Sequence, residues 1–182
     1  MTIGLATGAR VGLRAGLVAL FLAAALAHGE GATRPYGKRV AVTPDRLRVM
    51  DGDTAEIRWS AADVETVRVL GIDTPELFTR DSTGGARRDP RGTEALGFAR
   101  GAFAMADRVE LLRCRNRDRF RRTLGYFFLD GRNYSVMVIE ARLARETISR
   151  YGDNGLAREA DEVRRAVRRT ESAAGTPHRP SH

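Results

Sequence analysis

The stretch from Arg46 to Ile72 constrains the fold most. Three apolar, strand-length runs, Arg46 to Met50, Ala55 to Trp59 and Val64 to Ile72, follow one another with only turn-forming residues between them. Asp51-Gly52 reads as the tight turn joining the first two. Loops rather than helices separate the runs, so they must pair antiparallel. Val40 to Val42 is a further short strand before them.

The pattern then changes. Residues 78 to 92, FTRDSTGGARRDPRG, read as a Gly/Asp/Pro loop. From Thr93, expected as the N-cap, Leu96, Ala99, Phe103 and Ala106 recur at helical spacing. Val109 to Arg113 and Leu124 to Leu129 read as strands, with Asp130-Gly131 as a turn. Helices are predicted over Tyr134 to Ala144 and Leu156 to Arg169, the second with Ala160, Val163 and Val167 on one face. About five strands and three helices in this order predict an α+β fold, a small five-stranded Greek-key barrel of the oligonucleotide-binding (OB) type.

The chain has 182 residues, 42% hydrophobic and 30% charged, which fits one globular domain with tails. Residues 1–27 combine Arg10 and Arg14, an uncharged apolar run from Ala15 to Ala27, and the small-x-small ending Ala25-Leu26-Ala27. That layout predicts a signal peptide and a secreted or periplasmic protein. The alternative is an N-terminal membrane anchor, although the run is shorter than the roughly 20 residues that span a bilayer. Residues 28–39 read as a linker, 40–170 as the folded domain and 171–182 as a disordered tail. Cys114 is the only cysteine, so no intramolecular disulfide can form, and it reads as a small core residue.

The formal net charge of +8 favours polyanions, nucleic acid or anionic lipid. Lysine and arginine number 31 and Lys38 is the only lysine, so no arginine is informative by identity alone. The three histidines, His28, His178 and His182, all lie in the linker or tail. That inventory excludes a histidine base, a Ser-His-Asp triad or a zinc site within the domain. Acid, base and electrostatic work falls to carboxylates and arginines.

Two acidic turns, MDGDT (Met50 to Thr54) and GIDTPE (Gly71 to Glu76), each present Asp beside Thr at the end of an apolar strand. Either alone reads as ordinary turn chemistry. Together their oxygens suit a hard cation, Ca²⁺ or Mg²⁺, and suit zinc or copper poorly. Further on, RCRNRDRFRR (Arg113 to Arg122) packs six arginines into ten residues, and Asn116 and Asp118 predict a loop that breaks the stripe.

VMDGDT, VRVLGIDTPE and DRFRRTLGYFFLDG, in that order, resemble the staphylococcal nuclease (thermonuclease) family, over roughly Arg46 to Arg169. The resemblance implies a five-stranded barrel with three helices, one Ca²⁺ ion, a monomer, and a phosphodiesterase acting on DNA or RNA. It implies Asp53 and Asp73 as the metal carboxylates, the Thr74 carbonyl as a further ligand, and Asp51 close behind. Glu76 matches the general base that activates water. Arg68 and Arg122 match the two arginines that clamp the phosphate. Arg119 falls where the family has a substrate-contacting lysine and Phe120 where it has a tyrosine near the nucleotide. The other four arginines of the run are then basic surface. Arg121 and Arg142 stand where the family usually has glycine, Tyr134-Ser135 where it has Val-Asn, and Ile148 and Arg150 where it has tyrosines. The alternative reading is a non-catalytic nucleic-acid-binding module on the same barrel.

Overall fold

The computed structural model describes residues 34–80 and 84–175. The expected signal peptide, residues 1–27, lies outside them, as do the first half of the linker and the last residues of the tail. Eleven strands and four α-helices are present among the described residues: β1 Arg39–Val42, β2 Leu47–Val49, β3 Thr54–Arg58, β4 Val64–Val69, β5 Ile72–Asp73, β6 Phe78–Arg80 and β7 Ala86–Arg88 precede helix α1, Pro90–Met105. Then come β8 Val109–Arg117, β9 Thr123–Leu129, β10 Arg132–Asn133, α2 Tyr134–Glu140, β11 Arg145–Glu146, α3 Ile148–Tyr151 and α4 Ala157–Gly175.

The main sheet runs β1-β8-β9-β4-β3-β2, with β10 on β9. Every pairing in it is antiparallel except β4 with β9, where Val67, Arg68 and Val69 lie opposite Thr123, Leu124 and Gly125. This curled sheet with its helices is the expected α+β, OB-like barrel. Ile57, Val67, Leu111 and Phe127, all 0% exposed, pack on one face of the sheet, and Tyr126 and Phe128, 1% exposed, are buried on the other. Full burial of side chains this size stabilises the fold by about 1.5–3 kcal/mol each. Phe103 of α1 meets Phe127 edge-on at 5.1 Å and Tyr134 of α2 at 5.0 Å, locking both helices to the barrel.

Several expected boundaries move, each for a local reason. Val64 to Ile72 is not one strand: Gly71, at φ +82°, breaks it, and β5 turns away to pair with β11. Residues 78 to 92 are not all loop, because β6 and β7 form a ribbon with Phe78 opposite Arg88. Helix α1 is capped by Asp89 rather than Thr93. The Asp89 carboxylate accepts from the backbone N–H groups of Arg91 (2.8 Å) and Gly92 (3.4 Å), and Pro90 occupies the first helical position. Helix α2 ends at Glu140, four residues before Ala144. Helix α4 reaches Gly175, into the stretch expected to be disordered. Before β1, the Gly37 N–H donates to the Arg113 carbonyl at 2.9 Å, so the end of the expected linker is already part of the sheet.

At both arginines standing where the family usually has glycine, the backbone is left-handed: φ is 64° at Arg121 and 59° at Arg142. After α2, the Leu143 N–H donates to the Val138 carbonyl (3.1 Å) and the Arg142 N–H to the Ile139 carbonyl (2.9 Å). That is the double bond of a Schellman C-cap, whose left-handed position favours glycine. The chain keeps the turn geometry and tolerates a Cβ that opposes it.

Candidate active site

The loop between β2 and β3 is four residues, Met50, Asp51, Gly52 and Asp53, closed by the Met50 N–H donating to the Thr54 carbonyl at 2.9 Å. The Asp51 carboxylate accepts from the Asp53 N–H at 3.0 Å and folds the loop inward. Asp53 is therefore 6% exposed although it sits in a turn. No side chain fits at Gly52, where a Cβ would lie 2.7 Å from Thr74 Cγ2 and 2.9 Å from Ala95 Cβ. Behind the loop, the Tyr134 hydroxyl donates to the Gly52 carbonyl at 2.8 Å. Burial pushes the Tyr134 phenol well above its ordinary pKa, and the Asp53 and Asp51 charges add to that, so it stays a donor.

The two acidic turns meet here. One Asp53 carboxylate oxygen accepts from the Thr74 N–H at 2.9 Å, the other from the Thr54 hydroxyl at 3.2 Å. Arg68, opposite Thr54 in the β3–β4 ladder, pairs through Nη1 with Asp53 and through Nη2 with Asp73 at 2.7 Å. Burial raises the Asp53 pKa from its ordinary value, and the Arg68 charge and the Thr74 N–H oppose the rise without cancelling it. Asp73 itself is largely exposed, with 59% of its side chain accessible, while Thr74 is buried.

Glu76 is exposed, and its carboxylate makes no hydrogen bond or ion pair among the described residues. Its backbone is held tightly. A Cβ at Gly92 would lie 2.1 Å from the Glu76 carbonyl oxygen, so the first turn of α1 can rest on this segment only because residue 92 is glycine.

Arg122 reaches the same corner from the β8–β9 loop. Its Nε donates to Asp118 at 2.7 Å and its Nη1 to the Thr54 hydroxyl at 3.4 Å. The other Asp118 oxygen accepts from the N–H groups of Phe120 (2.9 Å) and Arg122 (2.8 Å). Burial pushes the Asp118 pKa up, but the hydrogen bonds and charge of Arg122 outweigh it and hold the carboxyl below its ordinary value. Arg117 Nη1 donates to the Arg121 carbonyl at 2.9 Å and steadies the loop. Phe120 is 64% exposed, with the guanidinium carbons of Arg119 at 4.7 Å and Arg122 at 5.4 Å from its ring centroid.

The arginine run divides differently from expectation. The strand passes through Asn116 to Arg117, with a bulge between Arg113 and Arg117, and the loop begins only at Asp118. Arg113 is not basic surface. It is 8% exposed and its Nη1 donates to Glu65 at 3.0 Å, and the same Glu65 oxygen accepts from the Thr123 hydroxyl at 2.7 Å.

Asp53, Thr54, Arg68, Asp73, Thr74 and Arg122 are thus joined through direct contacts, while Asp51, Glu76, Arg119 and Phe120 flank them. Sequence reasoning read Asp118 only as a loop former and Thr54 only as part of a turn, and did not single out Gly92 or the Tyr134 hydroxyl. Asp118 carries a legible signal, an Asx-type residue opening a hairpin loop that ends at the arginine it orients. The Tyr134 contact spans 82 residues and has no local signature.

No family model matches this chain. It is 34% identical over 99 residues to the thermonuclease of Staphylococcus intermedius. The aligned stretch is 54% of this chain and 55% of that protein, so the chain spans about half the length of the curated relative it matches. With the α+β barrel and the joined acidic turns, this similarity supports a staphylococcal-nuclease-like family relationship for the chain.

Proposed function

We propose that this protein is an exported, Ca²⁺-dependent nuclease hydrolysing phosphodiester bonds of DNA or RNA. One observation carries the reading: two guanidinium groups from distant segments, Arg68 and Arg122, converge on the Asp53-Thr54 corner. Paired planar donors of this kind match the oxygens of a phosphodiester, and they bind it more tightly as negative charge builds on those oxygens.

The donor set fits a hard divalent cation. Asp53 and Asp73 are close enough to share one guanidinium, and the Thr74 carbonyl follows directly on Asp73. Among the described residues no group of three or more His, Cys, Asp or Glu gathers at one point, so two carboxylates and a carbonyl are what those residues offer here. Ca²⁺ takes 6–8 oxygens, and water and phosphate would supply the rest. Bound there, the ion would contribute Lewis-acid stabilisation of phosphoryl charge.

The chain's own residues do the remainder. Arg68 and Arg122 hold the phosphate oxygens, with Asp118 fixing the plane of Arg122. Glu76, exposed and with no hydrogen bond or ion pair to its carboxylate among the described residues, accepts a proton there from the attacking water. By family resemblance the 5′ oxygen leaves and the product carries a 3′-phosphate. The layout of residues 1–27, arginines before an uncharged apolar run with a small-x-small ending, supports export.

The test is cleavage of single-stranded DNA by the full chain with Ca²⁺, with chelator, and by Glu76→Gln and Arg122→Lys variants. Cleavage lost with chelator and in Glu76→Gln, and cut sharply in Arg122→Lys, supports the enzyme. Binding without cleavage at any divalent metal overturns it in favour of a non-catalytic binding module, a reading that the exposed Phe120 between two arginines favours.

A further inference from the structure

The β6–β7 ribbon leaves the barrel two residues after Glu76. Its base is fixed by the Asp89 N–H donating to the Leu77 carbonyl at 2.9 Å, and by α1 resting on the Glu76 backbone at Gly92. The pairing sets Phe78 opposite Arg88 and Arg80 opposite Ala86. Side chains alternate along a strand, so Phe78, Arg80 and Arg88 occupy one face of the ribbon and Arg87 the other.

All of these residues are exposed, Phe78 at 57%. Arg88 sits over the Phe78 ring, its guanidinium carbon 5.9 Å from the centroid. Arg80, Arg87 and Arg88 form no ion pair among the described residues, in a chain where many other arginines do. Asp89, next to Arg88 in sequence, is engaged at the start of α1. A ribbon that projects an aromatic ring, and guanidinium groups with no ion pair among the described residues, beside the candidate site has the chemistry of a surface for unpaired bases and their phosphates.

We infer that the outward face of this ribbon, Phe78 with Arg80 and Arg88, binds a single-stranded nucleic-acid segment running beyond the scissile bond, Phe78 stacking on a base and the arginines contacting flanking phosphates. The inference rests on the nuclease reading for its substrate class and extends that substrate to several unpaired nucleotides. A duplex would gain little from the surface, because its bases are already paired and stacked.

The test measures binding of a fluorescein-labelled 12-nucleotide single strand and a matching duplex to the full chain carrying Glu76→Gln, in Ca²⁺, by anisotropy. To that protein are added Phe78→Ala, Phe78→Trp, or Arg80→Gln with Arg88→Gln. Phe78→Ala is expected to weaken single-strand binding on the order of tenfold, with Phe78→Trp restoring it. The double arginine variant is expected to lower the slope of log K against log salt by roughly 0.7 per lost phosphate contact. Unchanged thermal melts confirm that the variants fold. Single-strand affinity within twofold of the parent for both Phe78→Ala and the arginine pair overturns the inference, as does equal weakening for single strand and duplex. The two readings fail separately. If the chain without the Glu76 substitution cuts DNA but the ribbon variants bind normally, the ribbon inference falls and the nuclease stands. If nothing is cut but binding tracks Phe78, the nuclease falls and the ribbon surface stands. Absence of any binding overturns the ribbon.

Discussion

Replacing Asp118 with asparagine isolates what aims Arg122. The substitution keeps a carbonyl oxygen that can still accept from the Phe120 and Arg122 N–H groups, now at 2.9 and 2.8 Å. It places an amide NH₂ where the second carboxylate oxygen accepts from Arg122 Nε at 2.7 Å, so donor faces donor and that bond is lost. A hydrogen bond to a charged group contributes about 1.5–3 kcal/mol. The pair is partly open, with 28% of Arg122 and 17% of Asp118 accessible, so solvent screening reduces the expected loss of stability to about 1–2 kcal/mol. Arg122 then rotates about its last torsions, held by the long contact to Thr54 and the Phe120 ring. A misaimed clamp lowers kcat by on the order of 10–100-fold, about 1.4–2.7 kcal/mol of transition-state stabilisation, with a smaller effect on KM.

The pH dependence provides an independent readout. The Asp118 carboxyl is held below its ordinary pKa in the folded state, so its contribution is complete above the unfolded-state value of about 4 and is lost as pH falls through the lower folded value. Melting temperature and kcat are measured for both proteins from pH 3 to pH 8. The variant should melt lower at pH 7, and the gap should close toward the acid end. A kcat within twofold of the parent, or a melting difference that persists unchanged at pH 3, refutes the claim that the Asp118 charge positions Arg122.

Glu65→Gln should destabilise the fold by roughly 3–5 kcal/mol in urea titrations, because it leaves the buried Arg113 guanidinium unneutralised. Burial pushes the Glu65 pKa up, but bonds from Thr123, Trp59 and Arg113 hold it below the ordinary value, so the parent should lose this stability as pH falls below about 4 and the variant should not. Arg121→Gly and Arg142→Gly should each raise stability by about 0.5–1 kcal/mol, the relief of a left-handed Cβ less the added freedom of the unfolded chain; lowered melting temperatures would contradict this. Gly92→Ala should cost about 1–3 kcal/mol and also reduce kcat, since the added methyl must displace the Glu76 carbonyl; a fall in stability with kcat intact would show that Glu76 is not positioned by α1.

Much of the architecture was legible locally. Alternating apolar runs and Asp-Gly turns located the principal barrel strands, and the spacing of Ala160 and Val163, both fully buried, located α4. The absence of histidine from the domain left carboxylates and arginines as the groups available for acid, base or electrostatic work. Errors fell where two local signals competed. Asp89-Pro90 outranked Thr93 as a helix start because it caps two backbone N–H groups and supplies a preset φ. Gly71 ended a strand that hydrophobicity alone would have continued.

What the sequence determined by itself is the set of elements and the residue types available for chemistry, since periodicity, turn propensity and inventory are properties of neighbouring residues. Only the tertiary structure decided which of the near-identical arginines does what. Arg113 lies buried against Glu65, 48 residues away; Arg122 reaches Thr54, 68 residues away, because the parallel β4–β9 pairing brings the end of the loop beside β3 and β4. The physical reason is that a guanidinium's role depends on which carboxylates and hydroxyls lie within about 3 Å of it, and those neighbours are set by sheet register, which no local pattern encodes.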